Sequence, residues 1–317
     1  MKLLAFLLVF FSANSFGQEW PARPVKIVVP FAPGGSADTL GRLVAQKLSE
    51  QLKENFVIEN RGGAGGAVGS DLVAKAPPDG YTLVVSGIAS HVIAPLLPQG
   101  TQYDPMKDFS HVALFGGPPA VLAVNPSVPA QNLKEFVALA KAKPGALSYG
   151  SPGNGTQGQL VAELFKRLAG IDLQHVPYKG ASNAVTDMMA GHIPAVSTTL
   201  STAAGQIRAG RARGLAISAS ARLPEYPDIP TFAESGYPDL VATVWFSLSG
   251  PAGLPPQIVE RLNAEVRRAL ELSDVKEKLR HEGIAPNRLD AKEFTAFVAD
   301  ELRRWGPIVR ASGAKND

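Results

Sequence analysis

The strongest constraint on this chain is an arrangement written twice: an apolar strand, a glycine-rich turn, an amphipathic helix, a second strand and a basic-glycine turn. The first copy begins with a strand over 25–31 and passes through Ala32-Pro33-Gly34-Gly35-Ser36-Ala37-Asp38 into a helix from Thr39. It continues with Phe56–Asn60 and Arg61-Gly62-Gly63. The second begins over 146–150 and passes through Ser151-Pro152-Gly153-Asn154-Gly155-Thr156 into a helix from about Gln159. A strand over 173–177 and Lys179-Gly180-Ala181 complete it. Gly35 and Gly62 stand 27 positions apart, as do Gly153 and Gly180. Glycine lets the backbone turn sharply and approach a ligand, and a helix start offers unpaired N–H donors with partial positive charge. Two such starts predict two lobes gripping one anion.

The remaining periodicity predicts an α/β chain with mixed sheets flanked by helices. Leu40, Leu43, Val44, Leu48 and Leu52 recur at three and four, giving one buried helix face. Leu160, Val161, Leu164, Phe165 and Leu168 do the same. Short β-rich runs stand at 82–85, 112–115, 121–124 and Arg213–Ile217, and helical spacing returns at Ile258, Leu262, Val266 and Leu270. A last helix is lined by Phe294, Phe297, Val298, Leu302 and Trp305. Gly116-Gly117-Pro118-Pro119 breaks two apolar runs, and another run over 241–248 precedes a Gly/Pro-rich stretch over 249–256. Read as two crossings, these predict lobe one over 18–121 with 245–317, lobe two over 122–244, and a hinged cleft between them.

At the amino terminus, Lys2 precedes an apolar run over 3–11 and small or polar residues over 12–17. The run falls short of the ~20 residues of a spanning helix and reads as a secretory signal, with Ser15 and Gly17 at the −3 and −1 positions. The expected mature chain begins near Gln18 and is exported and soluble. With no cysteine, it has no residue for lipid attachment. A net charge of +3 and a pI near 9.0 come without any basic run; Arg208, Arg211 and Arg213 form the densest cluster. Nucleic-acid binding is therefore not expected.

The stretch Pro24-Val25-Lys26-Ile27-Val28-Val29-Pro30-Phe31-Ala32-Pro33-Gly34-Gly35-Ser36-Ala37-Asp38 resembles the periplasmic solute receptors of tripartite tricarboxylate transporters, also called Bug receptors. So do Val57-Ile58-Glu59-Asn60-Arg61-Gly62-Gly63-Ala64-Gly65-Gly66, Pro78-Asp79-Gly80-Tyr81-Thr82-Leu83, Val176-Pro177-Tyr178-Lys179-Gly180 and Ile207-Arg208-Ala209-Gly210. The resemblance covers essentially the whole mature chain. It implies a two-lobed, type II-like periplasmic binding protein that is not an enzyme and uses no cofactor. Its implied partners are a small di-, tri- or aromatic carboxylate and the permease subunits of a membrane transporter, or else a membrane sensor; the simplest form is a monomer. Carried onto matching positions, the resemblance implies lobe-one contacts from Phe31, Ala32, Gly35, Ser36, Ala37 and Asp38, with the stretch from Ser86 to Ser90 as a second wall. In lobe two it implies Ser151, Gly153, Asn154, Gly155 and Thr156, with Tyr178 and Lys179 nearby. Asp38 could instead tie the first helix turn, and Lys179 could lie solvated. Many family members carry an aspartate in the stretch matching Val196-Ser197-Thr198-Thr199; Thr198 cannot supply that charge, so an amine-free carboxylate is expected.

Two enzyme readings compete. Gly153, Gly155 and Gly158 match a dinucleotide-binding G-x-G-x-x-G turn, but the strand ending at Pro177-Tyr178-Lys179 carries no ribose-binding acid. No G-x-S-x-G elbow occurs, and His91, His111, His175, His192 and His281 show no metal-ligand spacing.

Overall fold

The computed structural model describes residues 20–312, so the signal-like segment and the expected start at Gln18 lie outside the described residues. The first half runs β1 (Val25–Val29), α1 (Ser36–Leu52), β2 (Phe56–Asn60), α2 (Ala67–Ala74) and β3 (Thr82–Gly87). A π-helical turn over Ala89–Ile93, α3 (Ala94–Leu96) and β4 (Phe109–Gly117) follow. Through Pro118 and Pro119 the chain enters a second sheet with β5 (Ala120–Val124), α4 (Leu133–Ala142), β6 (Ser148–Ser151), α5 (Gln157–Ala169) and β7 (Gln174–Pro177). That lobe ends with α6 (Ala181–Met189), β8 (Ala195–Thr199), α7 (Leu200–Arg208) and β9 (Arg213–Ile217). A long return leads to β10 (Phe246–Pro251), α8 (Pro256–Glu271), α9 (Ser273–His281), β11 (Ala285–Pro286) and α10 (Ala291–Ser312).

The two sheets share a plan. The first has the order β11-β4-β10-β3-β1-β2, and the second β7-β6-β8-β5-β9. In each, the strand before the glycine loop pairs in parallel with neighbours on both sides: β1 with β2 and β3, β6 with β7 and β8. In each, a strand reached by a crossing runs antiparallel: β10 between β3 and β4, β5 between β8 and β9. β1 and β3 are almost wholly buried because helices cover both faces, which is why they read as continuous apolar runs. The parallel strands end at the glycine loops, so both loops emerge at the same kind of sheet edge and face each other.

The two copies differ at their helix starts. Gly35 itself is the N-cap of α1, whereas α5 is capped by Thr156, three residues beyond Gly153. Gly153 at φ +136° and Gly155 at φ +68° give the second loop an additional turn before its helix begins. Equal spacing between glycines thus preserves the loops but not the caps. The apolar run at 241–248 also divides: only the part from Phe246 pairs as a strand, while Ala242, Val244 and Trp245 bury their side chains from irregular backbone.

α10 ties the two lobes. The indole N–H groups of Trp245 and Trp305 both donate to the buried Glu301 carboxylate, at 2.9 and 3.2 Å. The far end of the same helix, at Pro307 and Ile308, lines a groove with Leu164 and Arg167 of α5. Among the described residues no helix is long and apolar enough to cross a membrane.

Candidate functional site

The two glycine loops meet across the cleft, and the lobes are closed on one another. The Ala32 N–H donates to the Lys179 carbonyl at 3.2 Å, and the Ser182 hydroxyl donates to the Pro33 carbonyl at 2.7 Å. At the start of α1 the Ser36 hydroxyl lies 2.5 Å from those of Thr199 and Ser201 and 2.9 Å from that of Thr202. The Ser36 N–H donates to the Thr202 hydroxyl as well. The start of α7 therefore presses its hydroxyls against the start of α1, a third helix terminus that the sequence pattern did not single out.

Behind this contact lies a chamber with a cavity volume of about 50 Å³. Lobe one contributes Phe31, Gly35, Ser36, Ala37, Gly87, Ile88, Ala89, Val244 and Phe246; lobe two contributes Pro152, Thr156, Gln157, Gly158, Ala181 and Thr199. Among the described residues no ionisable side chain lines it. Its most exceptional group is Gln157, the first residue of α5: the residue is 2% exposed, and neither its amide nitrogen nor its amide oxygen has a hydrogen-bond partner. A buried amide without partners costs on the order of 1–3 kcal/mol. A second, outer space of about 260 Å³ shares Phe31 and Pro152 and adds Gly63, Gly65, Gly153, Tyr178 and Lys179.

The predicted residues fall into three groups. Phe31, Gly35, Ser36, Ala37 and Thr156 line the chamber, and Gly153, Tyr178 and Lys179 line the outer space. Ala32, Asn154 and Gly155 sit in the loops between these walls; the Gly155 N–H donates to the Gln159 side chain, whose amide reaches Asn154. The rest hold structure. Asp38 accepts from the Gly34 N–H, from Arg42 and from Asn60, each at 2.9 Å. Burial pushes its carboxyl up, but these hydrogen bonds outweigh burial and hold it below the usual carboxylate range. Ser86 bonds Ser247 and Ser249 within the sheet, and Ser90 contacts the His91 ring. Ser151 bonds His175 at 2.7 Å and accepts from the Gly153 N–H. Thr198 is fully buried on β8 and lines neither space, whereas Thr199 does line the chamber. Lys179 offers its backbone carbonyl across the cleft while its side chain is exposed.

The residues that the sequence pattern missed are Gln157, Thr199, Ser201, Thr202 and Phe246, while Gly87, Ile88 and Ala89, within the expected wall over 86–90, line the chamber. For Gln157 the one available signal was its place at a helix start beneath a glycine loop. Elsewhere, His91 and His111 are buried with ring centroids 5.8 Å apart; burial holds His91 well below its usual range and brings His111 down to about 4. Among the described residues no group of three His, Cys, Asp or Glu could hold a metal ion.

A family model described as "Tripartite tricarboxylate transporter family receptor" matches residues 40–314. The chain is 36% identical to Protein BugT of Bordetella pertussis over 320 residues, covering 99% of this chain and 98% of that one. Among solved structures, a protein of R. palustris with adipate matches at a TM-score of 0.91 and 34% identity, covering 94% of this chain and 99% of that chain. MatC from Rhodopseudomonas palustris, with bound malate, matches at 0.87 and 34%, covering 92% and 100%.

Proposed function

Because the chain belongs to the tripartite tricarboxylate transporter receptor family, we propose that it captures a small carboxylate in the chamber between its lobes and delivers it to a membrane permease. The observation that carries this reading is the chamber itself: a space between the lobes at the starts of α1 and α5, lined among the described residues by no ionisable side chain and by the buried, unpartnered Gln157. The first amides of a helix and a side-chain N–H₂ favour a carboxylate over a neutral or cationic group. Phe31, Gly35, Ser36, Ala37 and Thr156 are the ligand contacts in this reading, and the crossings at 116–119 and 241–248 are its hinge. Solved relatives with adipate and malate support the ligand class.

Thermal unfolding and calorimetry of the purified protein against mono-, di- and tricarboxylates, amino acids and NAD test this proposal. Ligand at 100 times its Kd adds about 2.7 kcal/mol to stability. A saturable rise with a carboxylate is the expected result, with amino acids inert because no acid lines the chamber to meet an ammonium group. Stabilisation by NAD and no carboxylate would overturn the receptor reading. We further infer that the segment before Gln18 directs export; amino-terminal sequencing of the periplasmic form is expected to begin near residue 18, and an intact Met1 would refute it.

A further inference from the structure

We infer that Glu301 is the positioning residue of the hinge: through Trp245 it fixes the second crossing, and with it the angle between the lobes. The inference rests on the receptor reading above and adds to it a residue outside the chamber that governs closure.

Val244 and Phe246 line the chamber, and Trp245 between them is buried at 3% exposure. Successive side chains alternate here as along a strand, so the Trp245 ring turns from the chamber to α10. That helix meets it with one face. Phe294 and Phe297 stand at ring-centroid distances of 6.0 and 5.5 Å, and the Glu301 carboxylate accepts the indole N–H at 2.9 Å. Ring contacts alone let an aromatic side chain slide, whereas a charge-assisted hydrogen bond in a buried site has a direction. The carboxylate is itself held, by the Trp305 indole at 3.2 Å and by Arg304 at 3.2 Å, so it offers Trp245 a fixed point.

The main chain at Trp245 passes this position on. The Ile88 N–H donates to the Trp245 carbonyl at 3.3 Å, and the Val244 N–H donates to the Pro118 carbonyl at 3.1 Å. Pro119 bridges to Thr243 beside them, so the two crossings are tied to each other. An added Cβ at Gly87 would come 2.7 Å from the Trp245 carbonyl oxygen, and one at Gly117 would come 2.8 Å from the Trp245 Cα. No slack separates these backbones, and a shift of Trp245 moves both crossings together with the chamber wall at Ile88. Beyond Glu301, α10 continues to the other lobe, where Pro307 and Ile308 line a groove with Leu164 and Arg167. One helix thus touches both lobes and the crossing between them, with Glu301 at the middle contact.

Because the chain has no cysteine, spin labels can be placed at Lys75→Cys in lobe one and Lys143→Cys in lobe two, both exposed. Pulsed electron resonance on the ligand-free protein then reads the interlobe distance, whatever ligand the chamber takes; the ligand panel above tests the receptor reading separately. Trp245→Phe and Trp305→Phe each remove one indole bond to the same carboxylate, and each is expected to lower the melting temperature. Only Trp245→Phe is expected to widen the interlobe distance distribution, by about twofold, because only that ring belongs to the crossing. Glu301→Leu is expected to widen it as much, and the double variant Glu301→Leu/Trp245→Phe no further. Glu301→Gln, which keeps an acceptor oxygen, is expected to retain the wild-type width. Equal widths for Trp245→Phe and Trp305→Phe, or an unchanged width for Glu301→Leu, overturn the inference and leave the receptor reading intact. Should Glu301→Leu fail to fold, the two tryptophan variants decide alone: widening confined to Trp245→Phe upholds the inference, and any other pattern sinks it.

Discussion

Asp38 illustrates how a residue can sit at a binding loop and act on the loop alone. Its carboxylate gathers the Gly34 N–H, Arg42 and Asn60, tying the glycine turn to α1 and β2. Asp38→Ala is expected to cost about 2–4 kcal/mol in urea unfolding, because three donors lose a charged acceptor. A change below about 0.5 kcal/mol would show the tie to be dispensable. The buried histidines predict a pH dependence of known sign. With His111 at about 4 in the folded protein against 6.5 when unfolded, the unfolded chain binds the additional proton between those values. His111 therefore contributes stability above pH 6.5 that is lost as pH falls towards 4, roughly 3 kcal/mol in all. Melting temperature measured across that window is expected to fall, and His111→Gln to flatten the fall. At this scale the sequence was partly legible. The Asp38–Arg42 spacing of four is a visible helical pair, but the importance of Gln157 lies in being buried without a partner, which only the folded chain defines. Thr198 and Thr199 point to opposite faces of β8, so an error of one residue moves a candidate from chamber to core.

Elements were legible wherever periodicity and turn chemistry agreed. β2 and β9 fall on Phe56–Asn60 and Arg213–Ile217 as their apolar runs predict. Helix starts were less so: α1 begins at Ser36, before the first apolar position at Leu40, and α5 at Gln157, before Leu160. Helix hydrogen bonding begins with the small and polar residues of the loop, which carry no hydrophobic signal. α5 is held against β8 by Gly158, where an added Cβ would come 2.4 Å from the Ser197 carbonyl oxygen and 2.9 Å from the Pro152 ring. Gly158→Ala is thus expected to push the helix start off the sheet, costing about 1–3 kcal/mol and lowering ligand affinity. Equal melting temperatures for variant and wild type would show that α5 can shift freely.

For the whole molecule, the twofold grammar of strand, glycine loop and helix conveyed two lobes and a cleft, because each loop must emerge at a sheet edge. The third helix terminus was not legible, since serines and threonines at a helix start look like ordinary caps. Closure brings backbone against backbone. Gly180 adopts extended φ, which any residue tolerates, yet a Cβ there would lie 2.7 Å from the Ala32 side chain of the other lobe. Gly180→Ala is therefore expected to keep its stability but resist closing, giving weaker ligand binding and a larger radius of gyration by solution scattering. Identical scattering profiles with ligand present would refute the close approach.

The contact between Ser36 and the hydroxyls of Thr199, Ser201 and Thr202 carries one further consequence. A latch assembled from neutral groups carries no net charge for dissolved ions to screen, whether the Debye length is about 8 Å in physiological salt or about 3 Å at 1 M. The clasp between Ser36 and the start of α7 is therefore expected to hold alike at low and high ionic strength.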